Sequence, residues 1–328
     1  MDAYLRRYFP VFCLLVLVVL VQAALSALNL EFFMTQLTMS AYYTMVAVGL
    51  CLLMGYAGQV SLGHGGFFAI GGYSAAVLAT AGFASWVSLP AAVLITGTVA
   101  LLIGIPVLRL RGHYLAMATL AFGIIVLRVL LGTNLFGGAD GLSDIPAFRL
   151  FAGLAITGRK ALRVQNYYIA WGLVLAGMLT AINLVNSRVG RALRAIHGNE
   201  DAAAAMGVDV ARFKLAVFVL SALYAGVGGA CLAFFNSGIG PGEAGVMKSV
   251  RYVALVAAGG MGSLWGTLAV STALTFLSLR GVFGVYDDAV FGAILVGIML
   301  FAPEGLFSLW ARRGRPGSAA PGGPGGPR

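Results

Sequence analysis

The segment Phe9–Leu28 reads FPVFCLLVLVVLVQAALSAL and contains no charged side chain. About 20 such residues are needed for an α-helix to cross the hydrocarbon core of a bilayer. A secretory signal peptide has a shorter apolar core and a small-residue cleavage site. The sequence therefore predicts a first membrane-spanning helix that the mature chain retains.

Apolar runs recur along the rest of the chain. They are Thr38–Met54, Phe67–Ala81, Val87–Leu108, Tyr114–Leu131, Tyr167–Val185, Phe213–Phe235, Val250–Leu279 and Tyr286–Phe301. The chain is 60% hydrophobic and 10% charged, whereas an ordinary soluble domain is about 25% charged. The alternating ten-residue strands of a membrane β-barrel are absent from the sequence. We predict an all-α polytopic membrane protein with about eight to ten transmembrane helices.

Two glycine-rich stretches predict broken or re-entrant segments, near residues 55–66 (GYAGQVSLGHGG) and near residues 256–265. Glycine lets a helix break and lets backbones approach closely. Half-helix ends at a break can face a charged solute in the membrane. We therefore expect Gln59, Ser61, Gly63 and His64 to border a translocation path. The alternative is tight helix packing in which Gln59 satisfies backbone groups.

Basic residues predict the orientation, because cytoplasmic loops carry an excess of lysine and arginine. The chain has 21 Lys+Arg against 11 Asp+Glu. Clusters at Arg6–Arg7, at Arg109 and Arg111, and within 187–214 fall on one side if the runs alternate. This side is expected to be cytoplasmic and to hold both termini, which requires Val250–Leu279 to cross twice or to contain a re-entrant half-helix. The opposite loop, 132–166, is also basic, but the rule is weak for long loops.

Domain organisation follows from the same pattern. Residues 1–310 are predicted to form one transmembrane domain with an external loop at 132–166 and a cytoplasmic loop at 187–212. Residues 311–328 are rich in glycine and proline and are predicted to be a disordered basic tail. No compact basic domain is present that would bind nucleic acid.

No residue pattern indicates catalysis. The histidines His64, His113 and His197 lie on different segments, and the motifs HExxH and GxSxG are absent. We expect no metal site and no cofactor bound by this chain. None of the three lysines follows a glycine as a P-loop requires, so any ATP that drives transport must be hydrolysed by another polypeptide.

Proton coupling also finds little support, because no chain of buried acids is evident. Arg128 and the pair Asp287–Asp288 lie near the ends of apolar runs. Side chains at such positions are expected at the membrane interface rather than inside the bilayer.

The loop 187–212 contains the signals of a short capped helix. Asn199 is a good N-cap, and Glu200 and Asp201 occupy the first turn, where acidic side chains complement the helix dipole. Gly207 suits a left-handed C-terminal stop, and Asp209 can cap the next span. A short helix between two spans can transmit a push from a partner into the membrane. It can equally be an ordinary connecting helix.

Several motifs resemble those of the branched-chain amino acid permeases of ABC importers, the LivM-type subunit in particular. The coupling-loop pattern is matched by Gly198, Asn199, Ala202, Ala203, Gly207 and Val208. The stretch 55–73 is similar to the signature of this family, as are 137–142, 259–263 and 303–306. The chain departs from the family pattern at His197-Gly198, at Thr267 and over Gly238–Arg251.

The resemblance implies the permease subunit of an ATP-driven importer for branched-chain or other amino acids. Its coupling residues would be Gly198, Asn199, Glu200, Asp201, Ala202, Ala203 and Gly207. It implies a homologous second permease or a second copy, two ATPase subunits that bind ATP and Mg, and a periplasmic or extracellular solute-binding protein. The expected location is the bacterial inner membrane. The alternatives are the same architecture importing urea or short amides, an ATP-independent secondary transporter or channel, and a membrane enzyme or scaffold.

Overall fold

The computed structural model describes residues 2–151, 154–281 and 284–301. The α-helices are α1 (Asp2–Ala27), α2 (Phe32–Cys51), α3 (His64–Thr80), α4 (Ser85–Val107), α5 (His113–Gly132), α6 (Arg163–Asn186), α7 (Arg188–Gly198), α8 (Glu200–Ala205), α9 (Val210–Asn236), α10 (Val246–Gly259), α11 (Leu264–Leu279) and α12 (Asp287–Phe301). The strands are β1 (Leu142–Ser143), β2 (Phe148–Phe151), β3 (Leu154–Ile156) and β4 (Gly238–Ile239). The predicted tail 311–328 and the motif 303–306 lie outside the described residues.

The predicted all-α polytopic fold is confirmed. Within the described part of the chain, six helices are long and apolar enough to cross a membrane, namely those at Tyr8–Ala27, Phe32–Tyr56, Ser85–Val107, His113–Gly132, Lys160–Asn186 and Val210–Asn236. Four further helices have only 14 to 17 residues, namely the apolar α11 together with α3, α10 and α12. The expected number of eight to ten is reached when these shorter helices are counted with the six long ones.

Helices α2 and α9 form the centre of the bundle, and α1 lies at its edge. Most of α2 is buried, whereas α1 exposes much of its apolar surface. Glycines bring α3 and α9 together, since a Cβ on Gly71 would overlap Gly226 and a Cβ on Gly229 would overlap the carbonyl of Phe68. Close backbone approach through small residues is the usual way to pack helices in lipid.

Both predicted breaks are confirmed, and they pack against each other. Helix α2 ends in a π-helical turn, Leu52–Tyr56, and a largely non-helical stretch leads from it to α3. The other break, 260–263, joins α10 to α11. Gly55 has no room for a Cβ because the carbonyl of Met261 lies against it. The Tyr56 hydroxyl donates to the carbonyl of Gly262 at 3.1 Å, so two breaks that are far apart in sequence form one junction.

The second break resolves how the long run Val250–Leu279 is folded. It is two helices, α10 and α11, rather than one. Asp287, at the start of α12, lies beside Ser278 at the end of α11, and Ile294 and Val270 pack on Ala258. Helix α12 therefore runs antiparallel to α11.

The loop between α5 and α6 is tied to the segment that follows α9. Strands β1 and β4 pair antiparallel, with Leu142 opposite Ile239, and β2 and β3 form a hairpin. Gly141 adopts a φ of +74° and lies against the carbonyl of Ile239, where a Cβ would not fit. The motif 137–142 therefore fixes the α5–α6 loop against the segment that follows α9.

We expect Gly229→Ala to lower the stability of the folded protein by about 1–3 kcal/mol, since the added methyl meets backbone rather than a movable side chain. The measurement is the thermal unfolding midpoint of purified protein in lipid nanodiscs. The matched control is Gly172→Ala in α6, because no atom lies within 4 Å of a Cβ at that position. Equal midpoints for the two variants would contradict the proposed α3–α9 contact.

Candidate translocation path and coupling surface

The bend before α3 is a polar junction inside the protein. Ser61 and His64 are fully buried. The His64 ring is hydrogen-bonded through Nδ1 to Ser61 Oγ at 3.0 Å and through Nε2 to Ser221 Oγ at 2.7 Å. The hydroxyl of Thr119 accepts from the amide of Leu62 at 3.0 Å. Side chains from α5 and α9 therefore satisfy groups that a broken helix would otherwise leave exposed in lipid.

The first turn of α3 is also held by α10. The Ser249 hydroxyl accepts from the amide of Gly65 at 3.1 Å. A Cβ on Gly65 would lie 2.7 Å from that same oxygen, so glycine is needed for the approach. The N-terminal turns of two short helices thus meet within the bundle.

Sequence reasoning placed Gln59, Ser61, Gly63 and His64 on a path, and the structure brings all four to this one bend. Gly63 contacts the backbone of α5, where a Cβ would lie 2.6 Å from the carbonyl oxygen of Thr119. Gln59 is only 3% exposed, and neither atom of its side-chain amide has a hydrogen-bond partner among the described residues. A buried amide without partners is costly, so Gln59 has hydrogen-bonding capacity that the fold itself does not use.

A second polar group, which sequence reasoning missed, surrounds the start of α10. The Tyr43 hydroxyl donates to Glu243 Oε1 at 3.1 Å, and Lys248 Nζ lies 3.1 Å from the same oxygen. Arg251 Nη1 lies 3.0 Å from Asp287 Oδ2, which also accepts from Ser278. We call Tyr43, Glu243, Lys248, Arg251 and Asp287 the ion-pair cluster.

The ion-pair cluster lies alongside the N-terminal half of α2, from about Gln36, which contacts the carbonyl of Leu279, to Tyr43. Tyr43 is eleven residues beyond Phe32, about 16 Å along a span of 25 residues. Its ring stacks on Phe68 of α3 with 5.5 Å between centroids. The four charged side chains are between 18% and 35% exposed. The interfacial position of Asp287 stays a prediction, and its carboxylate is paired with Arg251.

One sequence signal could have revealed the cluster. Glu243, Lys248 and Arg251 fall within nine residues, where the long apolar run of α9 has ended and that of α10–α11 begins. Charges flanked closely by membrane segments on both sides indicate a polar site. Glu243 and Lys248 were assigned to a loop because the apolar run was taken to begin at Val250, and Arg251 was taken as an isolated charge at its start.

The loop 187–212 forms two helices rather than the single one expected. The predicted caps of α8 are confirmed: Asn199 Oδ1 accepts from the amide of Ala202 at 2.9 Å, and Gly207 has a φ of +84°. Asp209 caps α9 through the amide of Arg212, as predicted. Helix α7, which sequence reasoning missed, is amphipathic and buries Gly190, Leu193 and Ile196 against the bundle.

Charged contacts fix α8 on the bundle. Glu200 forms a close ion pair with the buried Lys214 of α9. Glu200 and Asp201 also lie 3.7 Å and 3.6 Å from the Arg111 guanidinium, in the connection between α4 and α5. Glu200 therefore connects α8 to two different parts of the transmembrane bundle.

Helix α7 reaches the bend itself. A Cβ on Gly58 would lie 3.5 Å from the ring of His197, near the end of α7. Gly58 has a φ of +67°, a conformation that glycine adopts without strain. The surface formed by α7 and α8, residues 188–205, is thus in contact with the bend before α3. Among the described residues no three histidine, cysteine, aspartate or glutamate side chains are placed to hold a metal ion.

We expect Asn199→Ala to destabilise α8 by about 1 kcal/mol, because the amide of Ala202 loses its cap. Hydrogen exchange of the amides of Glu200–Ala205 should accelerate about fivefold as local opening becomes easier. Asn199→Asp keeps the accepting oxygen and is the control. Unchanged exchange in the alanine variant would show that α8 is held by its other contacts alone.

The sequence model described as branched-chain amino acid transport system / permease component matches residues 32–301. Similar proteins include the high-affinity branched-chain amino acid transport system permease protein LivM of Salmonella typhimurium and that of Escherichia coli. Each is 32% identical over 294 residues, which is 83% of this chain and 69% of the relative. The corresponding LivH protein of Salmonella typhimurium is 26% identical over 292 residues, or 82% of this chain and 92% of the relative. No solved structure matches the chain. The chain belongs to the family of branched-chain amino acid transport system permease components.

Proposed function

We propose that this transport permease is the membrane-spanning subunit of an ATP-driven ABC importer for branched-chain or chemically similar amino acids. Residues 1–310 would form the permease domain. The observation that carries the proposal is the contact of the α7–α8 surface with both the bundle and the bend before α3. An ATPase subunit that bound and moved this surface would thereby also move segments inside the transmembrane bundle.

The coupling step uses the charged contacts of α8. An ATPase subunit that binds Gly198, Asn199, Glu200, Asp201, Ala202, Ala203 and Gly207 would move α8, and the Glu200–Lys214 pair would pass that movement to α9. His197 beside Gly58 gives a second connection, to the bend. A partner shifts such an equilibrium only by its different affinity for the two conformations, so ATP-dependent clamping must favour one of them.

The partners follow from this arrangement. Two ATPase subunits would bind ATP and Mg, with no cofactor held by this chain. A homologous second permease or a second copy would complete the path, and a periplasmic or extracellular binding protein would deliver the solute. The end of the bundle with α7 and α8 carries Arg109, Arg111 and Arg188, which supports a cytoplasmic position. The membrane would be the bacterial inner membrane, with both termini in the cytoplasm.

The path is proposed to run beside the bend. Gln59 supplies an amide whose oxygen and nitrogen have no partner among the described residues, and Ser61, Gly63 and His64 fix the turn that presents it. Because these groups are buried in the conformation described, solute would reach them only when α3 and α10 separate.

We expect Glu200→Arg to uncouple the transporter, because it places a second cation beside the buried Lys214. In reconstituted vesicles ATP hydrolysis should continue while amino acid uptake falls about tenfold or more, as expected when a buried ion pair is broken. The double exchange Glu200→Lys with Lys214→Glu should restore part of the coupling. Glu31→Arg, at the opposite end of the bundle, is the control. Wild-type coupling in Glu200→Arg would contradict the proposed role of α8.

We expect Gln59→Met and Ser61→Ala to lower uptake by about three- to tenfold, equivalent to one lost hydrogen bond. If Gln59 only filled space, removing its unpaired amide would leave transport unchanged and stability equal or higher. Ser74→Ala, in the same helix α3, is the matched control. Normal uptake and normal ATP hydrolysis in both variants would exclude this bend from the path.

A further inference from the structure

We propose that the ion-pair cluster is a recognition site for a solute that carries both an ammonium and a carboxylate group, the chemistry of an α-amino acid. This inference rests on the proposed transport function and assigns the selecting residues within this chain. It concerns the segment Gly238–Arg251, where the sequence departs from the family pattern.

The charges are expensive where they lie. Ionisable side chains at membrane depth carry a large desolvation cost, and replacing a buried ion pair by well-packed apolar residues is often neutral or stabilising. The fold does not need the cluster for its centre, which is formed by apolar and small residues of α2, α3 and α9. Two partly buried ion pairs packed beside a membrane-spanning helix are therefore better explained by a ligand than by stability.

The cluster also has hydrogen-bonding capacity that the described residues leave unused. Glu243 Oε2 and Asp287 Oδ1 are buried acceptors without a partner among the described residues, and Arg251 Nη2 is a buried donor in the same position. The neighbouring hydroxyls of Tyr252 and Thr275 are also unpaired there. An ammonium group needs acceptors and a carboxylate needs donors, so both ends of an amino acid find complementary atoms.

Such a site can select its solute because a charged group of the solute can replace one partner of each ion pair. Separating Arg251 from Asp287, or Lys248 from Glu243, leaves two unpaired charges in a poorly hydrated place. A zwitterion compensates both charges at once. A solute with a single charge compensates one of them, and urea compensates neither. The site therefore rejects neutral and singly charged solutes by leaving its own charges unpaired.

The conformation described is the closed one. A cleft of about 40 Å³ beside Lys248, Arg251 and Thr275 has room for a few water molecules but not for an amino acid. Opening it requires α10 to move away from α11 and α12. Because Ser249 binds the first turn of α3, the same movement would alter the bend at Gly65.

Binding to the permease itself is the direct test. The purified full-length chain in lipid nanodiscs is heated with millimolar leucine, leucinol, 4-methylpentanoate or urea, and the unfolding midpoint is recorded. A ligand that binds the folded state raises this midpoint. We expect leucine to raise it, and leucinol (no carboxylate), 4-methylpentanoate (no ammonium) and urea to have little effect.

The double variant Arg251→Gln with Asp287→Asn keeps side chains that can bond to each other but removes both charges. We expect it to fold, with an unliganded midpoint close to wild type, and to require at least about tenfold more leucine for the same shift. Arg128→Gln, an exposed arginine of α5, should bind leucine as wild type does. In the assembled transporter the double variant should lose leucine uptake to a similar extent.

Leucine binding by the double variant equal to wild type, or equal stabilisation of wild type by leucine and leucinol, would overturn the assignment. Normal leucine uptake by the double variant would do the same while leaving the proposed transport function intact. If wild type with its partners took up no amino acid at all, both proposals would fall together.

Discussion

The hydrocarbon core of a bilayer offers no hydrogen-bond partners to a polypeptide backbone. A helix that breaks inside it must therefore be covered by protein. In this chain the break after α2 and the break before α11 cover each other, through Gly55, Tyr56 and the turn Met261–Gly262. Hydroxyl groups of Thr119, Ser221 and Ser249 complete the coverage around the bend. The chain can therefore end α2 and α10 at these breaks, because the backbone groups at each break are covered by the other.

The same constraint governs the charged residues. Each carboxylate of the ion-pair cluster has a basic partner within about 3 Å, and the buried Lys214 has Glu200. Pairing allows ions to be kept in poorly hydrated places, but it also means that no partner can leave without a replacement. The polar parts of this protein therefore depend on charge pairing, whereas the centre formed by α3 and α9 depends on close packing at glycines.

Local signals in the sequence predicted local structure well. Helix ends were predicted at Asn199 and Asp209 because their short side chains accept hydrogen bonds from amides two or three residues on. One was predicted at Gly207 because a residue without a Cβ adopts a positive φ. The glycines near 55–66 and 256–265 predicted the breaks for the same reason. Helix α7 was missed because its arginines made it look like a loop, although Leu193 and Ile196 are spaced to form one buried face.

Contacts between distant segments could not be predicted, such as Arg251 with Asp287 and Gly55 with Met261. The depth of Glu243 in the membrane also depends on how α9 turns back, which no short pattern specifies.

The two-residue pairing of β1 with β4 has a mechanical consequence. Strand β1 belongs to the loop between α5 and α6. Strand β4 begins the short segment that leads to Glu243 and α10. Backbone hydrogen bonds join these two stretches across nearly a hundred residues of chain. A protein that bound the loop between α5 and α6 would therefore also restrain the start of the segment that carries Glu243, Lys248 and Arg251. Movement of this loop and movement of the start of the segment 238–251 are therefore expected to be linked through the two paired residues of each strand.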